Sequence, residues 1–114
     1  PSPTCVLALR PSQLYGPPGC GLPLGYRAAK WVSFRWSVIA LPGNYIDAVI
    51  DSCAMAKSIV EKPVMIIAHT IPGKGVDFME GDFHWHGMPP NPEQAKKALH
   101  ELRTLGGKIR GEHE

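Results

Sequence analysis

Residues 63–87 read PVMIIAHTIPGKGVDFMEGDFHWHG, and this stretch decides the fold. Val64–Ala68 is a continuous apolar run of strand length with no polar alternation. Such a run is expected of a strand buried on both faces, as in a parallel sheet covered by helices. A glycine-rich turn follows, then two histidines spaced i, i+2 around Trp85. A plain connection between elements is typically two to about six residues long, and this one is much longer. It carries His69, Lys74, Asp77, Glu80, Asp82, His84 and His86. Loops at the carboxyl ends of parallel strands are where α/β proteins build their sites.

Upstream, Ser37–Leu41 (SVIAL) is a second apolar run suited to a buried strand. Gly43-Asn44 punctuates it. Asn44 is a favourable N-cap, and Asp47 stands where a helix dipole favours a carboxylate. Ile46, Val49, Ile50, Cys53, Ala56 and Val60 recur at helical spacing, and Lys62-Pro63 stops the helix. Strand, helix and strand in that order imply a parallel pair with a right-handed crossover. Gly25–Phe34 reads as a short helix before them. Downstream, Asn91 caps a last helix, Pro92 takes its first position and Gln94 completes a capping box. Ala95, Ala98, Leu99 and Leu102 mark its apolar stripe, and Gly106-Gly107 is expected to end it.

The class is therefore α/β, with parallel sheet strands and flanking helices. Residues 1–25 are dense in proline and glycine and read as a loop-rich start, apart from a strand remnant at Val6–Leu9. Residues 26–107 form the α/β unit, and 108–114 an exposed tail. These elements are too few for a complete α/β domain, since one strand pair leaves open edges and a half-covered core. The expectation is a fragment, or a chain that pairs with another.

Composition excludes several classes. The 114 residues are 44% hydrophobic and 19% charged, with a net charge of +2. The basic residues are scattered, so no nucleic-acid partner is expected. No apolar run approaches the roughly 18 residues of a membrane span, and no secretory leader is visible. Cys5, Cys20 and Cys53 are odd in number and lack CxxC spacing, which favours reduced thiols and a cytoplasmic setting.

Three readings compete for the loop at 69–87. In one, the amides of Gly73 and Gly75 and the charge of Lys74 cradle a phosphate or diphosphate. The bland counterpart is a turn with an exposed lysine. In the second, His84 and His86 share a face of an extended segment and bind a metal, with His69, Asp77 or Glu80 as a third ligand. In the third, one histidine is an acid/base or hydrogen-bonding group in a cleft, with Trp85 packed beside it. His100 and His113 read as surface residues.

With these residues in view, the chain resembles the transketolase family, in the C-terminal part of its thiamine-diphosphate-binding half or subunit. The resemblance runs from about Ala29 to Gly107 through KWVSFRWSVIALPGN, KPVMIIAHTIPGKGVDFME, HWHG and PPNPEQAKKALHEL. It implies that His86, of the Trp-His-Gly tripeptide, is the catalytic histidine near the cofactor diphosphate. Pro72 falls at a cofactor-contacting position, and His69 and Lys74 belong to the same cofactor-binding loop.

RPSQLYGPPGCGLPL (residues 10–24) resembles more weakly the segment after the family's metal motif. There Leu14 would contact the cofactor, and Ser12 would offer Mg²⁺ its backbone carbonyl. Arg10 stands where the family has the asparagine that binds Mg²⁺, and a guanidinium has donors only. Pro42 replaces an acidic residue and Arg35 a glycine. Neither the Gly-Asp-Gly metal motif nor the glutamate that activates the cofactor is in this sequence.

The resemblance implies an enzyme that moves a two-carbon ketol unit between sugar phosphates with thiamine diphosphate and Mg²⁺. The partner it implies is a pyrimidine-binding domain or second subunit, with a dimer in the complete enzyme. Two alternatives stand beside it: a non-catalytic truncated remnant or interaction module, and a small histidine-based metal-binding protein.

Overall fold

The apolar run that opens the decisive stretch is the centre of a three-stranded sheet. In the computed structural model, which describes residues 2–10 and 26–111, β3 (Val64–His69) lies between β1 (Thr4–Leu9) and β2 (Ser37–Pro42). It runs parallel to both. The expected α/β class and the parallel pairing of β2 with β3 are thus observed. The remnant at Val6–Leu9 is a full strand on the other side of β3.

Burial explains why Val64–Ala68 of β3 is apolar throughout. Val64, Ile66 and Ile67 are at most 2% exposed, and Met65 and Ala68 are also buried. Each such aliphatic side chain contributes about 1.5–3 kcal/mol by leaving water. On one face, Val64, Ile66 and Ala68 pack with Ile39 and Leu41 of β2 and with Ala48, Val49 and Ala56 of α2 (Ile46–Ser58). Leu7 and Leu9 of β1 are in register with Ile67 and His69 and so face the other way. There they border a cleft with Trp31 of α1 (Arg27–Ser33) and with Phe34, its C-cap.

Four local expectations differ from the structure. Asn44 does not cap α2: Tyr45 holds that position without a side-chain bond. Ile46, Ile50, Cys53 and Val60 are exposed, because α2 meets the sheet through the arc Ala48, Val49, Ser52 and Ala56. Small residues there let the helix lie close, and the Ser52 hydroxyl is satisfied by the Val49 carbonyl at 2.8 Å. The helix ends at Ser58, before Lys62-Pro63 is reached. Finally, α3 (Pro92–Gly111) runs through Gly106-Gly107. A glycine in a helix costs about 1 kcal/mol relative to alanine, which weakens a helix without forbidding it.

The start of α3 is as read. Asn91 Oδ1 accepts from Gln94 N at 2.8 Å, and Gln94 Oε1 accepts from Asn91 N at 2.9 Å. Ala98 is buried, while Leu99 and Leu102 are exposed.

Candidate functional site

Parallel register places the carboxyl ends of the three strands in one row, Leu9 beside His69 beside Pro42. The chain leaving β3 is tied to both neighbours. Thr70 N donates to the Leu9 carbonyl and Gly43 N to the His69 carbonyl, each at 2.7 Å. A Cβ on Gly43 would fall 2.8 Å from both Ala68 Cβ and Thr70 Cγ2, so this close approach needs glycine. Asn44, freed from capping, accepts Ile71 N at 2.7 Å. Above this row lies a cleft of about 550 Å³ lined by Leu9, Arg10, Arg27, Pro42, His69, Thr70 and Ile71. Two arginines and a histidine are among its lining residues, and no carboxylate is among the described ones. Arg27 Nε is buried without a hydrogen-bond partner among the described residues. An unsatisfied buried donor is costly, and an anion would relieve it.

The glycine-rich turn beyond the cleft is closed on itself. Gly73 has φ +70°, and a Cβ there would meet the Met79 carbonyl oxygen at 2.6 Å. Gly81 N donates to the Pro72 carbonyl at 2.8 Å. Lys74 Nζ binds Glu80 Oε1 at 3.1 Å, and Gly75 N donates to Glu80 Oε2 at 3.3 Å. Those two donors hold the Glu80 carboxyl below the usual carboxylate range. The amide and lysine read as a phosphate cradle therefore already hold an anion, the chain's own Glu80. Further on, Trp85 Nε1 donates to the Phe78 carbonyl at 2.8 Å, and the two rings meet edge to face at 5.3 Å. Asp77 N donates to Glu101 of α3 at 2.9 Å, so α3 anchors the loop.

The two histidines part company. Phe83–Trp85 is a turn of 3₁₀ helix, so the segment is not extended. His84 stacks on Phe83, and its Nδ1 lies 2.7 Å from Asp82 Oδ1. Asp82 also accepts the His84 amide, and these bonds lower its carboxyl pKa. His86 instead reaches Arg10, with Nδ1 a long 3.4 Å from Arg10 Nη1. Arginine can only donate, so this imidazole nitrogen accepts. Among the described residues no three His, Cys, Asp or Glu side chains converge. The metal reading of His84 with His86 is therefore corrected: a 3₁₀ turn sends them to different partners. The described residues lining the cleft also do not fit a divalent cation, because they offer two arginines and no carboxylate where such an ion takes oxygen ligands.

The structure thus places His69 in the lining of the cleft, brings His86 to Arg10, which lines it, keeps Pro72 in the closed turn through its carbonyl and leaves Lys74 with Glu80. Ser12 and Leu14 lie outside the described residues. Three residues were not read as site residues: Arg27, Thr70 and Asn44. Arg27 had no signal, since its place follows from the start of α1 bordering the same cleft as the end of β1. Asn44 had a misleading one, because the same amide that caps helices also caps loops.

No family model matches the chain. It is 32% identical over 84 residues to an apulose-4-phosphate transketolase subunit of Phocaeicola vulgatus, across 74% of this chain and 30% of that protein. It is 38% identical over 77 residues to 6-deoxy-6-sulfo-D-fructose transketolase subunit SqwG of a Clostridium species, across 68% of this chain and 28% of that one. It is 43% identical over 51 residues to 1-deoxy-D-xylulose-5-phosphate synthase of Helicobacter hepaticus, across 44% and 8%. The chain spans less than a third of the length of these curated relatives.

Proposed function

The chain belongs to the transketolase family, and from that premise we propose that it forms one wall of a thiamine-diphosphate site in a two-carbon ketol transferase acting on sugar phosphates. The observation that carries this reading is the cleft at the common carboxyl edge, where Arg10, Arg27 and His69 meet without a carboxylate. Its charge and its orphaned Arg27 donor suit a diphosphate. Arg10 and Arg27 would hold the diphosphate by forked, charge-assisted hydrogen bonds. His69 and Pro72 would bound the site, and Lys74 joins only by exchanging Glu80 for the ligand. When bound, thiamine diphosphate supplies the nucleophilic carbon that carries the two-carbon unit. His86, with Nδ1 accepting from Arg10, would carry its proton on Nε2 and so present a donor to the site.

Relatives named as subunits support a second chain as partner. That partner would bring the pyrimidine-binding domain, and the complete enzyme would be a dimer in the cytoplasm. No helix among the described residues is long and apolar enough to cross a membrane. Arg10 also favours a second reading, a non-catalytic remnant that keeps the anion cleft.

The test is ketol transfer from a ketose phosphate by this chain assembled with a pyrimidine-binding partner chain. His86→Ala is expected to lower kcat/KM by about 100-fold or more, the usual worth of a positioned acid/base group. His84→Ala, whose ring faces Asp82, is expected to cost less than about tenfold. Equal losses would show that the wrong histidine has been chosen. An assembly that binds the cofactor without transfer would leave the remnant reading in place.

A further inference from the structure

The cleft and the cation it lacks donors for point in one direction. A divalent ion at a diphosphate site is held by oxygen ligands, and its charge usually dominates the local field. At the end of β1 that field is set by Arg10, whose five N–H donors repel a metal ion and attract phosphate oxygens. Arg27 lines the same cleft with its Nε buried and unpartnered among the described residues. His69 and Thr70 line the same cleft, the Thr70 hydroxyl donating to the Leu9 carbonyl, and among the described residues no carboxylate lines it to compete for the guanidinium groups.

We infer that this cleft binds a phosphate or diphosphate group without a divalent cation, the ligand's charge being met by Arg10 and Arg27. The inference rests on the proposed function for the identity of the cofactor but not for the charge of the site. It has a structural consequence. Arg10 also donates to His86 Nδ1, so a ligand that recruits the guanidinium changes the hydrogen bonding of this imidazole. Occupancy of the cleft is thereby reported at the residue placed nearest the chemistry. The coupling is local, running through one side chain from the end of β1 to the 3₁₀ turn.

Inorganic pyrophosphate is the probe, because it carries the charge and none of the cofactor's rings. It is titrated into the full 114-residue chain in excess EDTA and again in excess Mg²⁺. Binding is followed by calorimetry and by the ¹⁵N shifts of labelled histidine. Saturable binding in EDTA is expected, no tighter with Mg²⁺, and with the His86 Nδ1 resonance moving. Arg10→Asn and Arg27→Gln are each expected to weaken binding about 10- to 100-fold, the worth of one charged hydrogen bond. Arg10→Lys keeps part of the affinity but loses the forked contact, which guards against a variant that merely unfolds; far-UV circular dichroism checks each variant. Binding that requires Mg²⁺, binding unchanged in folded Arg10→Asn, or no binding at millimolar pyrophosphate would each overturn the inference. A Mg²⁺-dependent result would leave the proposed transferase standing. Metal-free binding in an assembly that never transfers a ketol unit would do the reverse.

Discussion

Two neighbouring regions on the same edge of the sheet treat their polar groups in opposite ways. In the turn from Pro72 to Gly81, the lysine, the glycine amide and the Pro72 carbonyl all find partners within the turn. Among the described residues of the cleft at the strand ends, Arg27 Nε has none, and Arg10 has a long contact to an imidazole. The first region resembles a phosphate loop in sequence but is structurally self-sufficient. The second carries no motif and yet has charge to spare. A glycine-rich composition shows where backbone can approach an anion; only the partners present show whether a ligand is needed there.

The largest expected effect breaks the closed turn. Gly73→Ala forces a Cβ into the Met79 backbone at a positive φ. It should destabilise the chain by about 2–4 kcal/mol, measured by urea unfolding. A loss under about 0.5 kcal/mol would mean that the turn does not hold this geometry in solution. Gly43→Ala tests the anchor of the open region instead. Its clash is with Ala68 Cβ and Thr70 Cγ2 at 2.8 Å and with the Ala68 carbonyl carbon at 3.2 Å, looser than the contacts at Gly73 and without a positive φ. The expected cost is smaller, about 1–3 kcal/mol, with the ¹⁵N shift of His69 perturbed. An unperturbed His69 would separate the β2–α2 corner from the cleft.

Acid sharpens the comparison without a mutation. The carboxyl groups of Glu80 and Asp82 both titrate below their ordinary values, Glu80 through Lys74 and the Gly75 amide, Asp82 through the amide and ring of His84. A carboxylate with a lowered folded pKa adds stability above its unfolded pKa and loses it as pH falls through the folded one. The turn should therefore loosen below about pH 4, seen as faster amide exchange at Gly75 and His84. Glu80→Gln should abolish that dependence at Gly75 and leave His84 unaffected. A pH dependence that survives in Glu80→Gln would show that another group closes the turn.

The smallest effect lies away from both regions. Arg35 has φ +65°, left-handed for a side-chain-bearing residue. Arg35→Gly relieves that strain but loosens the unfolded chain, for a net gain of about 0.5–1 kcal/mol in thermal unfolding. A destabilised variant would show that the arginine side chain contributes a contact worth more than the strain.

The amino-acid order by itself determined the parallel pairing of β2 with β3, the burial of Val64–Ala68 on both faces and the Asn91–Gln94 capping box. Each is a local or periodic signal: an unbroken apolar run has to be buried on both faces, and a capping box closes within one helical turn. It also carried the resemblance that places the chain in its family. Tertiary structure decided which groups are spare. Asn44 fits a helix cap and a loop clamp equally well in sequence, and the close approach of Gly43 to β3 chose the clamp. His84 and His86 share a face only if the segment is extended, and a 3₁₀ turn separated them. Arg10 and Arg27, 17 positions apart in the chain, line one cleft because the end of β1 and the start of α1 border the same space. Charge balance at a site depends on distances between residues remote in sequence, and those distances exist only once the sheet has assembled.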